Sequence, residues 1–294
     1  MTTIGFVGLG IMGAPMAGHL VDAGHDVVGY NRSRPAVDAL VERGGRAAGS
    51  VAEAVRDAEV VFTMVPDSPD VEDVALGPDG VYASAEPGTL HVDCSTIRPD
   101  VARALAAAGD ERGVRVVDAP VSGGEAAAEE GTLSIMVGGA DEHVEAARPY
   151  LDVVGATVVH VGPAGAGQTV KAANQLIVAG NIELVAEALV FLEAHGVDTE
   201  AATRVLAGGL AGSTVLDRKA AGMRARDFAP GFRLQLHHKD LGIVTAAARE
   251  AGVAIPLGAH VAQLVGALRA MGHGDLDHSA LLLLVERLSG RSSA

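Results

Sequence analysis

The chain has 294 residues, of which 49% are hydrophobic and 20% are charged, and its formal net charge is −15. This length and composition predict a full core divided into two domains. The acidity argues against nucleic acid or an anionic membrane surface as the main partner, because both require clustered Lys and Arg. Cys94 is the only cysteine, which excludes an intramolecular disulfide. Because a strand begins at Ile4 and no long apolar run is evident, we expect a cytoplasmic protein.

The first predicted strand, TIGFV, runs into a glycine-rich turn and then into the helical pattern APMAGHLVDAG. Gly8, Gly10 and Gly13 have the spacing G-x-G-x-x-G, which between a strand and a helix is typical of a dinucleotide-binding turn. Gly8 would form the turn, Gly10 would admit a pyrophosphate and Gly13 would let the helix pack closely. Ile11 and Met12 complete this candidate cofactor contact at the helix N-terminus, which favours negative charge. The alternative is a glycine-rich turn with no ligand.

The second predicted strand ends at Asn31, Arg32 and Ser33, where an NAD-selective site normally carries Asp or Glu. A carboxylate at that place binds both ribose hydroxyls and repels a 2′-phosphate. We therefore expect NADP(H) to be favoured, with these three residues around its 2′-phosphate. The alternative is that Arg32 is a solvated loop residue and that NAD(H) is also used.

The next two strands end in further candidate cofactor contacts, because ligands of open α/β sheets bind outside the carboxyl ends of the strands. After the third strand, Val65, Pro66 and Asp70 are expected to line the adenosine side of the site, unless Pro66 only ends the strand. After the fourth strand, Thr96 is a candidate contact to the nicotinamide ribose.

The fifth strand precedes Ser122, Gly123 and Gly124. Two glycines after a hydroxyl can expose consecutive backbone N–H groups that bind a carboxylate, and the alternative is a plain hairpin turn. A sixth strand, ATVVHVG, ends near Gly162. Six strands with interleaved helices predict an α/β domain over residues 1–162, with a doubly wound, mostly parallel sheet of the Rossmann type.

A long helix is predicted between residues 162 and 197, with about 27 residues, which is enough to connect two domains. On it Lys171, Asn174 and Gln175 lie at i, i+3 and i+4, so that they share one face. The remaining segments are apolar at helical spacing, and residues 163–294 are therefore predicted to form an all-α domain.

A metal site at His237, His238 and Asp240 is not expected, because adjacent helical histidines point about 100° apart and no third ligand has a usable spacing. Lys239 lies among apolar residues in the same segment, and it either reaches the cofactor site or remains a surface lysine.

Four segments together resemble the β-hydroxyacid dehydrogenases: GFVGLGIMGAPMA, DAPVSGGE, GTLSIMVGG and GAGQTVKAANQ. The similarity extends over essentially the whole chain. It implies a Rossmann-type domain, a helical domain that makes the contact of a homodimer or homotetramer, and an active site in the cleft between them. By position it implies Lys171 as the catalytic lysine, Ser122, Gly123 and Gly124 as the substrate-carboxylate loop, Thr96 and Lys239 as cofactor contacts, and Asn174 as a substrate-site carboxamide.

Gln175 stands where many members of this family have Asn, and the branch that reduces tartronate semialdehyde shares the Gln. GGLAGSTVLDRKA, PGFRLQLHHKDL and DHSALLLLVERL resemble that branch most closely. The hypothesis is therefore reversible NAD(P)H-dependent reduction of tartronate semialdehyde to glycerate, with Lys171 as general acid and base. The alternatives are oxidation of 3-hydroxyisobutyrate, reduction of glyoxylate or succinic semialdehyde, and, from another class, a non-catalytic cofactor-binding regulatory protein.

Overall fold

The computed structural model describes residues 1–291. The chain divides into two compact units, the first comprising Met1–Lys171 and the second beginning at Ala172. The division falls within the long helix, so that the first helical residues, including Lys171, belong to the first unit. The domain boundary predicted after residue 162 stays a prediction.

The first unit contains a nine-stranded sheet. Its strands in chain order are β1 (Thr3–Val7), β2 (Asp26–Tyr30), β3 (Arg46–Ala47), β4 (Val60–Thr63), β5 (Leu90–Asp93), β6 (Arg115–Asp118), β7 (Val121–Ser122), β8 (Leu133–Gly139) and β9 (Gly155–Gly162). The spatial order is β3-β2-β1-β4-β5-β6-β8-β7, and β9 pairs with β8. The six strands from β3 to β6 are parallel, which is the arrangement of a Rossmann sheet. The predicted doubly wound, mostly parallel sheet is confirmed.

The predicted number of six strands was wrong, because β3, β7 and β8 were missed. β3 and β7 have two residues each, which is too short for a periodic signal. β8 is antiparallel to β6 and β7, and its alternating burial shows the period of two that the segment LSIMV carries in its sequence. This strand extends the sheet beyond β6 and supports β7, the strand that ends at Ser122.

Eight helices accompany the sheet of the first unit: α1 (Gly13–Asp22), α2 (Arg34–Glu42), α3 (Val51–Val55), α4 (Ser68–Leu76), α5 (Val81–Ser84), α6 (Pro99–Arg112), α7 (Gly124–Glu129) and α8 (Asp141–Val154). Proline stands in the first turn of α2, α4 and α6, where its missing N–H costs nothing. The core between the sheet and these helices is apolar, and Phe6 and Phe62 stack at its centre with ring centroids 5.6 Å apart.

The long helix α9 spans Ala166–Ala194, 29 residues, which confirms the predicted helix. Five more α-helices follow: α10 (Thr199–Ala207), α11 (Thr214–Ala225), α12 (Leu234–Glu250), α13 (Pro256–Leu268) and α14 (Leu281–Leu288). A π-helical segment at Arg269–His273 follows α13, and a 3₁₀ turn at His278–Ala280 precedes α14. Ile182, Ala186 and Leu189 of α9 pack into the core of this all-helical second unit.

Among the described residues, α9 is the one helix long and apolar enough to cross a membrane by length and composition alone. The helix is thus more apolar than the sequence pattern suggested. It nevertheless buries Lys171, Gln175 and Glu183, and 44% of its most apolar window lies inside the protein.

Candidate active site

The glycine turn after β1 has the shape that a dinucleotide requires. Gly8 has φ +101°, and a Cβ there would lie 2.2 Å from the carbonyl oxygen of Met64. A Cβ on Gly13 would lie 2.0 Å from the carbonyl oxygen of Gly8, whereas one on Gly10 would meet nothing within 4 Å. Helix α1 begins at Gly13, and the side chain of the preceding residue, Met12, makes no capping hydrogen bond to it. The backbone is therefore close-packed on one side and open on the other, where a pyrophosphate would approach.

The end of β2 is tied to this turn through Asn31. Its side-chain oxygen accepts a hydrogen bond from the N–H of Leu9 at 3.1 Å, and its amide nitrogen donates to the carbonyl of Ser33 at 3.2 Å. The side chain of Arg32 is 79% exposed and lies 3.6 Å from a carboxylate oxygen of Asp70. The exposed Arg32 guanidinium is therefore accessible to the phosphate group of a ligand. To bind that phosphate, the side chain must give up its ion pair with Asp70.

The segment after β4 is hydrogen-bonded to the segment after β5 through the side chain of Ser95. Ser95 Oγ accepts the N–H of Val65 at 3.0 Å, and the N–H of Ser95 donates to Asp93 at 3.2 Å. The predicted contacts Val65 and Thr96 are partly buried, whereas Pro66 is exposed. β4 ends at Thr63 rather than at the proline.

A buried chain of hydrogen bonds lies behind this segment. The Thr63 hydroxyl donates to Asp93 at 2.7 Å, so the Nε2 of His91, 2.9 Å from the same hydroxyl, must donate to it. The Nδ1 of this neutral histidine then accepts the hydroxyl of Tyr82 at 3.1 Å. Burial lowers the pKa of His91 to about 4 and raises the pKa of Asp93 to about 6.

Lys171 lies beside the predicted carboxylate loop. It is 7% exposed, and its Nζ donates to the carbonyl of Val121 at 2.8 Å. The next residues are Ser122 and then Gly123 and Gly124, which have φ +138° and +71°. A Cβ on Gly124 would meet nothing within 4 Å, so there is room beside the loop. The first unit therefore brings Lys171 and the Ser122–Gly124 loop together.

Two polar residues that meet at the start of α9, Asp118 at the end of β6 and Gln168 on the helix, were missed. Asp118 accepts the N–H groups of Gly165 and Gln168, and the Gln168 side chain bonds to the Ser95–Ile97 segment. Burial raises the pKa of Asp118, while the N–H donors of the helix start lower it. The motif DAPVSGG contains Asp118, but nothing in the linear sequence connects it to a helix about fifty residues later.

In the second unit, Asn174, Gln175 and Lys239 are linked through Asp240. The Gln175 amide nitrogen donates to Asp240, and Lys239 Nζ lies 2.8 Å from the other carboxylate oxygen. A carboxylate only accepts, so Gln175 must turn its oxygen toward Asn174, whose amide nitrogen donates to it at 2.7 Å. Sequence reasoning considered Asp240 only as a metal ligand and missed this role.

No group of three or more His, Cys, Asp or Glu side chains among residues 1–291 is arranged to hold a metal ion. His237 is buried and lies within hydrogen-bond distance of His278, with 2.9 Å between the two Nδ1 atoms. His237 and His238, which are adjacent in sequence, therefore have different environments, since His238 is only partly buried.

The fold and the glycine turn define the class of dinucleotide-binding proteins. Residues 3–162 match the family model described as the NAD-binding domain of 6-phosphogluconate dehydrogenase. Residues 165–285 match the model described as NAD-binding of NADP-dependent 3-hydroxyisobutyrate dehydrogenase.

Three relatives cover nearly the whole chain. A 2-hydroxy-3-oxopropionate reductase of Escherichia coli is 40% identical over 99% of both chains. An NAD-dependent L-serine dehydrogenase of Pseudomonas aeruginosa is 39% identical over 99% of this chain and all of its own. The structure of a Mycobacterium tuberculosis 3-hydroxyisobutyrate dehydrogenase with L-serine is 37% identical and covers 96% of this chain and 98% of its own, with a TM-score of 0.87. The chain belongs to the β-hydroxyacid dehydrogenase family.

Proposed function

We propose that the protein reduces tartronate semialdehyde (2-hydroxy-3-oxopropionate) reversibly to glycerate with NADPH, and that Lys171 is its general acid and base. The observation that carries this proposal is the buried Lys171 amine, which donates to Val121 directly before the Ser122–Gly124 loop. The 40% identical E. coli reductase supports the choice of substrate. A bound dihydronicotinamide would supply the hydride that reduces the aldehyde carbon.

Lys171 has two tasks in this reaction. Its ammonium group stabilises the negative charge that grows on the aldehyde oxygen, and it gives that oxygen a proton. The neutral amine then regains a proton from solvent. In the oxidative direction the neutral amine removes the hydroxyl proton.

The loop of Ser122, Gly123 and Gly124 is proposed to hold the substrate carboxylate. Asn174 and Gln175 are proposed to contact the rest of the substrate. Their hydrogen bond to each other and the bond from Gln175 to Asp240 support this role, because they fix the orientation of both amides. Lys239, held by the same Asp240, is proposed as a cofactor contact.

The proposed cofactor contacts in the first unit are the glycine turn from Gly8 to Gly13, the segment Asn31–Ser33, Val65, Pro66, Asp70 and Thr96. NADP(H) is favoured over NAD(H), because the end of β2 carries Arg32 and no carboxylate. The name of the P. aeruginosa relative, an NAD-dependent enzyme, keeps NAD(H) as the second choice.

A second substrate is favoured by a specific observation. Two of the relatives are associated by name or title with L-serine, which has an amine on the carbon that carries a hydroxyl in glycerate. Both molecules have a carboxylate and a primary hydroxyl at the same spacing, as does 3-hydroxyisobutyrate. The candidates therefore differ only in the group at C2.

The proposal is tested by the absorbance of the reduced cofactor with matched substrates. Reduction of tartronate semialdehyde and oxidation of glycerate, L-serine and 3-hydroxyisobutyrate would be measured with each nicotinamide cofactor. We expect kcat/KM to be highest for the tartronate–glycerate pair, by about tenfold, since a pocket discriminates one small group by about 1–3 kcal/mol. A higher value for L-serine or 3-hydroxyisobutyrate would replace the proposed substrate, and no turnover with any of them would favour the non-catalytic alternative.

We also propose a cytoplasmic homo-oligomer that associates through the helical unit. Ile177, Leu184 and Phe191 of α9 recur every seven residues and are 53–63% exposed. Helix α10 buries none of its residues. Apolar faces of this kind are typical of subunit interfaces.

A further inference from the structure

We propose that Asp118 and Gln168 form a clamp that positions Lys171, with Asp118 setting where the lysine-bearing helix begins. The inference deepens the proposed function, because it rests on Lys171 being the proton donor. Both clamp residues bind backbone groups, so both are positioning residues.

The first half of the clamp is a carboxylate at the end of a central strand. Asp118 is the last residue of β6 and is 4% exposed. Its Oδ1 accepts the N–H of Gly165 at 2.7 Å, and its Oδ2 accepts the N–H of Gln168 at 2.9 Å. These N–H groups at the start of α9 have no partner within the helix, and the positive end of the helix dipole lies there. Asp118 therefore acts as an N-cap from a distant strand.

The start of α9 packs against the end of β6 too closely to accept a side chain at position 167. A Cβ on Gly167 would lie 2.4 Å from the carbonyl oxygen of Met136 and 2.8 Å from Asp118 Oδ2. Glycine at this position lets the helix backbone approach the carboxylate directly. The start of α9 thus has one position along the end of β6.

The second half of the clamp is Gln168, which is 1% exposed. Its side-chain oxygen accepts the N–H of Ile97 at 3.0 Å, and its amide nitrogen donates to the carbonyl of Ser95 at 2.8 Å. Both bonds go to the segment after β5 that carries Thr96. This glutamine prevents the helix from rotating about its axis.

Lys171 lies one turn beyond Gln168, and its amine bonds to the carbonyl of Val121. Val121 follows Asp118 by three residues through a short connection. The residue that holds the helix and the carbonyl that receives the lysine therefore belong to the same stretch of chain. A change at Asp118 moves the lysine relative to the Ser122–Gly124 loop, and a misplacement of about 1 Å can cost about 100-fold in rate.

The test compares Asp118→Asn, Lys171→Ala and the double variant in the reduction assay. Asparagine keeps one acceptor but turns an NH₂ group toward a backbone N–H. We expect kcat to fall about tenfold or more in Asp118→Asn, with the dissociation constant of the reduced cofactor changed less than about threefold. Because Asp118 acts through Lys171, the double variant should have the same kcat as Lys171→Ala.

Hydrogen exchange of peptides that cover residues 163–171 gives a readout that does not depend on activity. We expect faster exchange in Asp118→Asn, because the amides of Gly165 and Gln168 lose a partner. Asp198→Asn is the matched control. Asp198 accepts the N–H groups of Glu200 and Ala201 at the start of α10, and its replacement should leave kcat unchanged.

The inference is overturned if kcat is unchanged in Asp118→Asn, if its effect multiplies with that of Lys171→Ala, or if exchange at residues 163–171 is unaltered. Should Asp118→Asn not fold, Gln168→Ala provides the same two kinetic readouts from the other half of the clamp, and faster exchange is then expected at the amide of Ile97, which loses its partner. If Lys171→Ala keeps wild-type kcat, the proposed function fails. Hydrogen exchange then still decides whether Asp118 holds the helix start.

Discussion

Two buried titratable side chains behind the candidate cofactor site should make the unfolding free energy change with pH in opposite directions. His91 is fully buried and Asp93 is 1% exposed, and both lie within hydrogen-bond distance of the Thr63 hydroxyl. The pKa of Asp93 is raised to about 6 from 3.8, and the pKa of His91 is lowered to about 4 from 6.5. Each displacement corresponds to about 3 kcal/mol of unfolding free energy.

The two effects have opposite signs in the same pH range. Between about pH 4 and 6 the folded state holds a proton on Asp93 that the unfolded chain has lost, so this residue lowers the unfolding free energy as pH rises. In the same interval the unfolded chain protonates His91 while the folded state keeps it neutral, so the histidine raises the unfolding free energy as pH rises. In the wild-type protein the two contributions should largely cancel.

Removing either group should reveal the other. Relative to wild type, the unfolding free energy of Asp93→Asn should rise by about 2 kcal/mol between pH 4 and 6, and that of His91→Gln should fall by about the same amount. The assay is urea denaturation followed by circular dichroism at intervals of half a pH unit. Subtracting the wild-type curve cancels all other titrating groups. Flat difference curves for both variants would refute the reasoning.

Further predictions concern the cofactor and the assembly. Arg32→Ala should raise KM for NADPH about tenfold or more with little change for NADH, because a charged hydrogen bond is worth about 1.5–3 kcal/mol. Asp70→Asn should lower KM for NADPH, because it releases Arg32 from its ion pair. An NADH effect of equal size would remove Arg32 from the 2′-phosphate site. Gly10→Ala should keep the wild-type melting temperature and weaken cofactor binding in a fluorescence titration, whereas Gly13→Ala should lower the melting temperature as well, because its Cβ would lie 2.0 Å from a backbone oxygen. Leu184→Arg should convert the oligomer to a monomer in sedimentation velocity, and an unchanged sedimentation coefficient would exclude this face from the interface.

Features that a local pattern encodes could be predicted from the sequence. The strand, glycine turn and helix at Gly8–Gly13 need only neighbouring residues, and the length of α9 follows from apolar spacing. The Rossmann order followed from strands that alternate with helices. The long similarity to one family then connected Lys171 with the serine and glycine loop.

Features that depend on distant contacts could not be predicted in this way. Asp118 and Gln168 are fifty residues apart in the sequence, and their contact exists only because the fold places the end of β6 beside the start of α9. Asp240 is likewise joined to Gln175 across 65 residues. β8 carried a local signal, but its antiparallel pairing with β6 is a property of the sheet. A buried polar residue acquires its partner from the fold, so the residue type alone leaves its role open.

The central claim, that the Lys171 amine gives the proton to the substrate oxygen, is tested most directly by kcat of Lys171→Met and Lys171→Arg at saturating cofactor and aldehyde. Methionine keeps an unbranched side chain of similar bulk without the amine, and arginine keeps the charge but holds its proton too tightly to transfer it. The account predicts that both variants remain folded and bind the cofactor, with kcat lowered about 100-fold or more in each. A kcat within about tenfold of wild type in the folded methionine variant would contradict it, since general acid catalysis contributes about 10²–10⁴-fold.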